Sequence, residues 1–283
     1  MAFTAKTGNS AYPWRPDVTV FAAQDVLDDA LILQASVVAG SIEGDAPSVR
    51  VAYINDDEAT FVAEATEIPE AEPELAECVV YTAKISQLIR VSREQYFNDG
   101  TADQLAGSVS RALIRKADSA FIAQAAPSSP AVAPAAGLLN VDDIVEGGEV
   151  SSSLDVLVDL VAEIQTNGGT PSHVIVAPDT WAALRKLKNA TDSNQSLLGA
   201  GTEDAMPMLL SLPVLVNVAV PSLNGLVIDR NAIVSAVGPV QIATSTDAYF
   251  ATDDVALRAT WRIGQNIVRP DRVGVFTVAA PGS

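Results

Sequence analysis

Residues 79–92 alternate between apolar and polar side chains more regularly than any other part of the sequence. Because successive side chains of a strand point to opposite faces, this period of two predicts one long strand with one covered face. Residues 48–54 alternate in the same way, and a cluster of turn-forming residues follows at 55–58. The apolar positions of the long strand are Val79, Tyr81, Ala83, Ile85, Ile89 and Val91.

Together the two strands predict a projecting β-hairpin over residues 49–91. Such a protrusion is too narrow to bury its own apolar face, and an isolated hairpin is only marginally stable in water. We therefore expect the hairpin to dock on another chain.

A helical period flanks this hairpin. Residues 24–38 predict a short amphipathic helix, and residues 102–125 predict a long one that follows two capping boxes at 92–95 and 101–104. The apolar stripe of the long helix consists of Leu105, Val109, Ala112, Leu113, Ala117, Ala120 and Phe121.

A proline-rich stretch at residues 127–137 gives the best internal boundary. Beyond it, a helix at 151–169, a short strand and a second helix precede three strand-like runs, and residues 239–283 return to alternation. The order predicts an α+β fold in which one module, about residues 140–237, is inserted in another built from both flanks.

The composition excludes several classes of protein. The 283 residues are 48% apolar and 18% charged, which excludes intrinsic disorder, and a net charge of −18 opposes binding to nucleic acid through its phosphates. One Cys and one His cannot form an intrachain disulfide or a Cys/His zinc site. His173 is interpreted as a capping or core residue, and no nucleophile elbow or phosphate-binding loop occurs. We expect no metal, no cofactor, no membrane span and no catalysis.

Carboxylates crowd the predicted hairpin, and no Lys or Arg lies between Arg50 and Lys84. The acidic segment is either a solvated loop or a surface that docks on a basic partner, and Arg111, Arg115 and Lys116 on one side of the long helix are the natural partner. Because a hairpin rarely folds back on its own helix, this contact would join neighbouring copies. The acidic candidates for it are Glu64, Glu67, Glu70, Glu72, Glu74 and Glu77.

Taken in order, these pieces resemble the tailed-phage major capsid protein of the Hong Kong 97 phage type. The resemblance covers residues 20–280 and includes the acidic hairpin (the family's E-loop), the VSREQYFND turn and the spine helix GTADQLAGSVSRALIRKADSAFIAQ. It also includes VIVAPDTWAALRKLKN, LLSLPVLVNVAVP and the closing strands FATDDVALRATWRIGQNIVRPDRVGVFTV.

The resemblance implies five segments along the chain. They are an N-terminal arm at 1–48, the E-loop at 49–91, a peripheral domain with the spine helix at 92–136, an axial domain at 137–238 and peripheral return strands at 239–283. It also implies a function: pentamers and hexamers of the protein assemble into an icosahedral head around double-stranded DNA. The protein would be made in the host bacterial cytoplasm and end in the virion, with portal, decoration and separate scaffold proteins as possible partners.

Two departures from the family pattern matter. Some relatives crosslink a hairpin lysine to an asparagine of a neighbour, whereas residues 51–83 contain no lysine, so we expect no such crosslink. Some relatives begin with a helical scaffolding segment of about a hundred residues, whereas some 45 residues precede the hairpin here, which implies a separate scaffold or none.

Two other functions remain open at this point. A bacterial encapsulin, a compartment shell with the same fold and an enzyme cargo, would use a cargo groove to which the helix at 24–38 could contribute. An acidic hydrolase would need a convergent polar site, and with one His only a carboxylate-based glycosidase is formally possible.

Overall fold

The computed structural model describes residues 18–21, 23, 27–42, 45–55, 61–62, 74–96, 101–188 and 207–280. In this part of the chain the strands are β1 Val18–Phe21, β2 Val37–Ser41, β3 Ser48–Asn55, β4 Glu74–Ser92, β5 Val145–Val150, β6 His173–Val176, β7 Met208–Leu209, β8 Leu212–Val216, β9 Asn224–Ile228, β10 Ile233–Val237, β11 Val240–Tyr249, β12 Asp254–Ile267 and β13 Val273–Val278. The helices are α1 Leu31–Gln34, α2 Arg93–Tyr96, α3 Thr101–Ala123, α4 Asp155–Thr166 and α5 Pro178–Lys186.

These elements form two mixed sheets, so the predicted α+β fold is confirmed. The first sheet has the order β1-β11-β12-β10-β2, and β4 pairs with β12 and also with β3. The second sheet has the order β5-β13-β9-β6-β8-β7. The largest apolar cluster joins α3 and the first sheet to one face of the second sheet through Phe121, Trp261 and Ile175, while α4 and α5 contribute to a separate cluster around Phe276.

The long strand β4 is shared between two partners. Its first part pairs with β3 up to Tyr81, and from Thr82 to Ser92 it pairs with β12. Gly264 lies at this change of partner, and a Cβ atom there would come within 2.3 Å of the Tyr81 carbonyl oxygen. The glycine is therefore required by the close approach of the two backbones. The β3–β4 pair confirms the predicted hairpin arms, whereas most of the tip lies outside the described residues.

The prediction of one covered face along β4 is only partly right. Ile85 and Ile89 pack toward the main core as predicted. At the other end of the strand the faces exchange roles, because Cys78 and Val80 are buried with Ile42 in a third cluster, while Tyr81 is 39% exposed. An alternating sequence shows which residues share a face, but here different elements cover the two faces at different points.

The long helix is confirmed, with bounds at Thr101 and Ala123 instead of 102 and about 125. Val109, Leu113, Ala117 and Phe121 of the predicted stripe are fully or almost fully buried. One half of the first predicted capping box is present, because the backbone N–H of Gln95 donates to Ser92 Oγ at 3.4 Å.

The predicted helix at 24–38 is wrong over its described C-terminal part. Helix α1 covers only four residues, and Val37 and Val38 belong to strand β2, which runs parallel to β10. The hydroxyl of Ser36, just before the strand, donates to Ser235 Oγ at 2.8 Å. Pairing with a distant strand outweighs the local helical period, as is common for β-branched residues.

The two sheets also divide the chain differently from the boundary predicted at residue 238. Strand β10, inside the predicted axial segment, belongs to the first sheet, and β13, among the predicted return strands, belongs to the second. The closing strands β12 and β13 therefore lie in different sheets. Which sheet each strand joins depends on where the chain crosses from one sheet to the other. The local pattern of apolar and polar residues does not show these crossings.

The helices and strands predicted between the proline-rich stretch and residue 238 are present in the described part of the chain. The backbone N–H of Asp155 donates to Ser153 Oγ at the start of α4, and Gly168, just after the helix, has a φ of +75°. Residues 207–228 form β7, β8 and β9, and no helix in the described part of the chain is long and apolar enough to cross a membrane.

Candidate inter-subunit surfaces

The acidic hairpin is described only near its base. Arg50 on β3 forms an ion pair with Glu77 on β4, with Nη1 and Oε1 3.2 Å apart. Both side chains are largely exposed, so this pair contributes about 0–1 kcal/mol. The side chain of Glu74 lies outside the described residues, as do the four other acidic candidates, Glu64, Glu67, Glu70 and Glu72.

The three predicted cations lie in the middle of α3. Arg111, Arg115 and Lys116 are all exposed, and Arg115 Nε donates to the Arg111 carbonyl oxygen at 3.2 Å. No carboxylate of the described residues forms an ion pair with any of them. Like charges four residues apart on a helix repel, so an anionic partner would stabilise this surface.

A buried carboxylate in the C-terminal half of α3 fixes the helix to its neighbours. Asp118 is 3% exposed, and its Oδ1 accepts the backbone N–H of Leu31 at 2.8 Å while its Oδ2 accepts Asn217 Nδ2 at 2.7 Å. One side chain therefore ties the start of α1, the middle of α3 and the loop after β8. Burial raises the pKa of Asp118, the two hydrogen bonds oppose this rise, and the charge of Asp29 adds to it.

The end of α3 is held by Gln265 of β12. Its Nε2 donates to the carbonyl oxygen of Phe121 at 3.1 Å and to that of Ala136 at 3.0 Å. The last carbonyls of a helix lack partners within the helix, so Gln265 satisfies the helix end and holds the proline-rich stretch against it. An open groove of about 440 Å³ adjoins this junction, and Lys116 lines it together with residues of β4 and β12. These hydrogen bonds hold the end of the helix that carries the three cations.

A second basic surface was not predicted from the sequence. The register of β4 and β12 places Lys84 opposite Arg262 and Leu88 opposite Arg258. With Arg90, these cations lie on the face of the first sheet opposite Ile85, Ile89 and the helix-covered core. Two of them have carboxylate partners, because Arg90 pairs with Asp254 and Arg262 lies 3.5 Å from Asp45. The alternation of β4 could have indicated Lys84 and Arg90, but their neighbours on β12 depend on strand register.

The single His and the single Cys are packing residues. His173 is half-buried with its Nδ1 3.0 Å from Ser172 Oγ, and burial, followed by the charge of Arg230, lowers its pKa. Cys78 is buried in the third cluster, and burial raises the pKa of its thiol. Within the described ranges, no three His, Cys, Asp or Glu side chains are grouped to hold a metal ion.

The model of the phage capsid family matches residues 29–278. The chain belongs to the phage capsid family. Members of this family are structural proteins of the capsid, so the protein is a subunit of a phage capsid shell and a component of the virion.

Several solved structures share the fold of this chain at low sequence identity. A chain of Mycobacterium phage Adephagia superposes with a TM-score of 0.67 at 16% identity, covering 90% of this chain and 91% of that one. For Mycobacterium phage Bobi the TM-score is 0.65 at 17% identity, with 97% and 99% covered. The capsid of an empty GTA particle gives 0.63 at 18% identity, with 89% and 90% covered. A comparison with curated proteins found no match.

The Asp118 junction generates a prediction about stability. Replacing Asp118→Ala leaves the Leu31 N–H and the Asn217 amide without their acceptor, so we expect the free energy of unfolding at pH 7 to fall by about 2–4 kcal/mol. Urea unfolding of the unassembled subunit measures this change. The exposed Asp142→Ala substitution is the control and should change stability by less than about 0.5 kcal/mol.

Comparing the wild type with the Asp118→Ala variant also tests the raised pKa of Asp118. The folded carboxyl of Asp118 binds its proton more tightly than the unfolded one, so acidification stabilises the wild type relative to the alanine variant. This gain should accumulate as the pH falls from the raised folded pKa to the unfolded value of about 3.9. A stability difference that shrinks over this window would contradict the assignment.

Proposed function

We propose that this capsid protein assembles as pentamers and hexamers into an icosahedral head that encloses the double-stranded DNA of a tailed phage. The observation that carries the proposal is the match to the phage capsid family over residues 29–278. The likeness to a GTA capsid computed with five-fold symmetry supports it. We further propose synthesis in the host cytoplasm and contacts with portal, scaffold or decoration proteins.

The charge of the chain agrees with a container and not with a DNA-binding protein. A net charge of −18 repels phosphate, so the shell would confine DNA without binding it through counterion release.

The family match favours a phage head over an encapsulin or a hydrolase. The encapsulin alternative needed a cargo groove formed partly by an amphipathic helix at 24–38. Leu31 and Ile32 of α1 are instead buried beside α3, which leaves the described part of that segment unsuited to the role.

We propose that the acidic hairpin of one copy binds the α3 cations Arg111, Arg115 and Lys116 of a neighbouring copy. Nine carboxylates lie between residues 56 and 77, so the hairpin carries the complementary charge. The α3 cations are better suited than the sheet face, because Arg90 and Arg262 already have carboxylate partners. Exposed charge pairs contribute about 0–1 kcal/mol each, so they would set the register of assembly more than its strength.

Charge reversal on α3 tests this contact. Combining Arg111→Glu, Arg115→Glu and Lys116→Glu should prevent assembly without unfolding the subunit, because the surface would then repel the hairpin. Assembly is measured by light scattering and electron microscopy, and folding by circular dichroism.

The matched control reverses two cations of the uncovered sheet face, Lys84→Glu and Arg258→Glu. We expect this double variant to assemble. If the α3 variant forms normal particles and the sheet-face variant does not, the hairpin contacts the other basic surface and the proposal for α3 is wrong.

We also propose that the mature shell contains no lysine–asparagine crosslink through the hairpin, since residues 51–83 contain no lysine. Boiled mature particles should therefore migrate on a denaturing gel as a monomer near 29.5 kDa. A ladder of covalent oligomers would contradict the proposal.

A further inference from the structure

The turn between β11 and β12 exposes a large aromatic side chain. Phe250 is 86% exposed and begins a short 3-10 turn that ends at Thr252. Asp253 follows with a φ of +52°, in the left-handed region. The exposed position of Phe250 does not stabilise the folded subunit, because a buried phenylalanine contributes roughly 1.5–3 kcal/mol more to the free energy of folding than an exposed one.

Two arginines hold this turn from the neighbouring elements. Arg90 on β4 donates from Nε to Asp254 at 2.6 Å and from Nη2 to Thr252 Oγ1 at 2.7 Å. Its guanidinium carbon also lies 4.6 Å from the centre of the Tyr249 ring, a cation–π distance. The hydrogen bonds from Thr252 and Arg90 lower the pKa of Asp254.

Arg93 at the start of α2 adds a second attachment. Its side chain forms an ion pair with Asp253 at 3.1 Å, and its backbone N–H donates to the Asp253 carbonyl oxygen at 3.2 Å. The exposed turn is thus attached on both sides of Asp253 to the junction of β4 and α2. An aromatic side chain presented by an ordered turn loses little further backbone freedom on binding, which favours an interface anchor.

The turn and the acidic hairpin lie at opposite ends of β4. Asp254 pairs with Ser92 at one end of this strand, and β3 pairs with the other end as far as Glu74. A strand rises about 3.3 Å per residue, so the two features stand roughly 60 Å apart. In a closed shell made of copies of one chain, the extremities of each subunit meet other copies.

We propose that Phe250 is the apolar anchor of a contact with a second copy of this chain. Phe250 inserts into an apolar depression of that copy, and Arg90 and Arg93 are positioning residues that hold its turn. This inference rests on the proposed shell function, but it concerns a surface separate from the hairpin and the α3 cations.

Replacement of Phe250 tests the anchor. Phe250→Ala should raise the subunit concentration needed for half-maximal assembly about tenfold or more, and Phe250→Leu should restore part of the loss because it returns apolar volume. The control is Leu88→Ala, which removes a 60% exposed apolar side chain from the middle of the sheet and should leave assembly unchanged. Light scattering measures assembly, and thermal unfolding verifies that each subunit folds.

The positioning role of Arg90 has its own readout. Arg90→Gln should weaken assembly when Phe250 is present and add little to Phe250→Ala, since the arginine acts through the aromatic ring's placement. Additive effects would overturn the positioning role. Assembly of Phe250→Ala at the wild-type concentration would overturn the anchor while leaving the shell function intact, whereas wild-type protein that never forms shells would overturn both.

Discussion

Strand β4 is the constraint on which the rest of the structure depends. It is 19 residues long and pairs with β12 over one part and with β3 over the other. The part next to β12 is covered by α3, and the part next to β3 leaves the main sheet as one arm of a hairpin. Cys78 and Val80 of this arm are buried with Ile42 of the same chain. A hairpin that projects from its sheet is only marginally stable by itself, which supports the proposed contact with a neighbouring copy.

Helix α3 connects the core to the surface that would receive such contacts. Its apolar stripe and Asp118 bind it to the first sheet, to α1 and to the loop after β8, while its exposed side carries three cations. The attachment of α3 to its neighbours matters because each exposed charge pair contributes little free energy. A fixed array of cations can define the register of a neighbour even though each pair contributes little free energy.

Much of this arrangement could be predicted from the sequence. The period of two revealed β4, the period of 3.6 revealed α3, and its spacing placed Arg111, Arg115 and Lys116 on one side. Three features depended on contacts between distant residues and could not be predicted locally. Strand β2 replaces part of the predicted helix because it pairs with β10, β13 joins the second sheet, and the cations of the sheet face meet only through the register of β4 and β12. The Phe250 turn belongs to the same class, since its order comes from Arg90 and Arg93 far away in sequence.

The central claim is that this chain builds a closed shell from copies of itself. Negative-stain electron microscopy of the purified protein, with mass measured by light scattering, tests that claim most directly. The account predicts closed particles, or rings with five- and six-fold symmetry, assembled by the protein alone or after addition of a scaffold protein. Protein that stays monomeric under both conditions would contradict it.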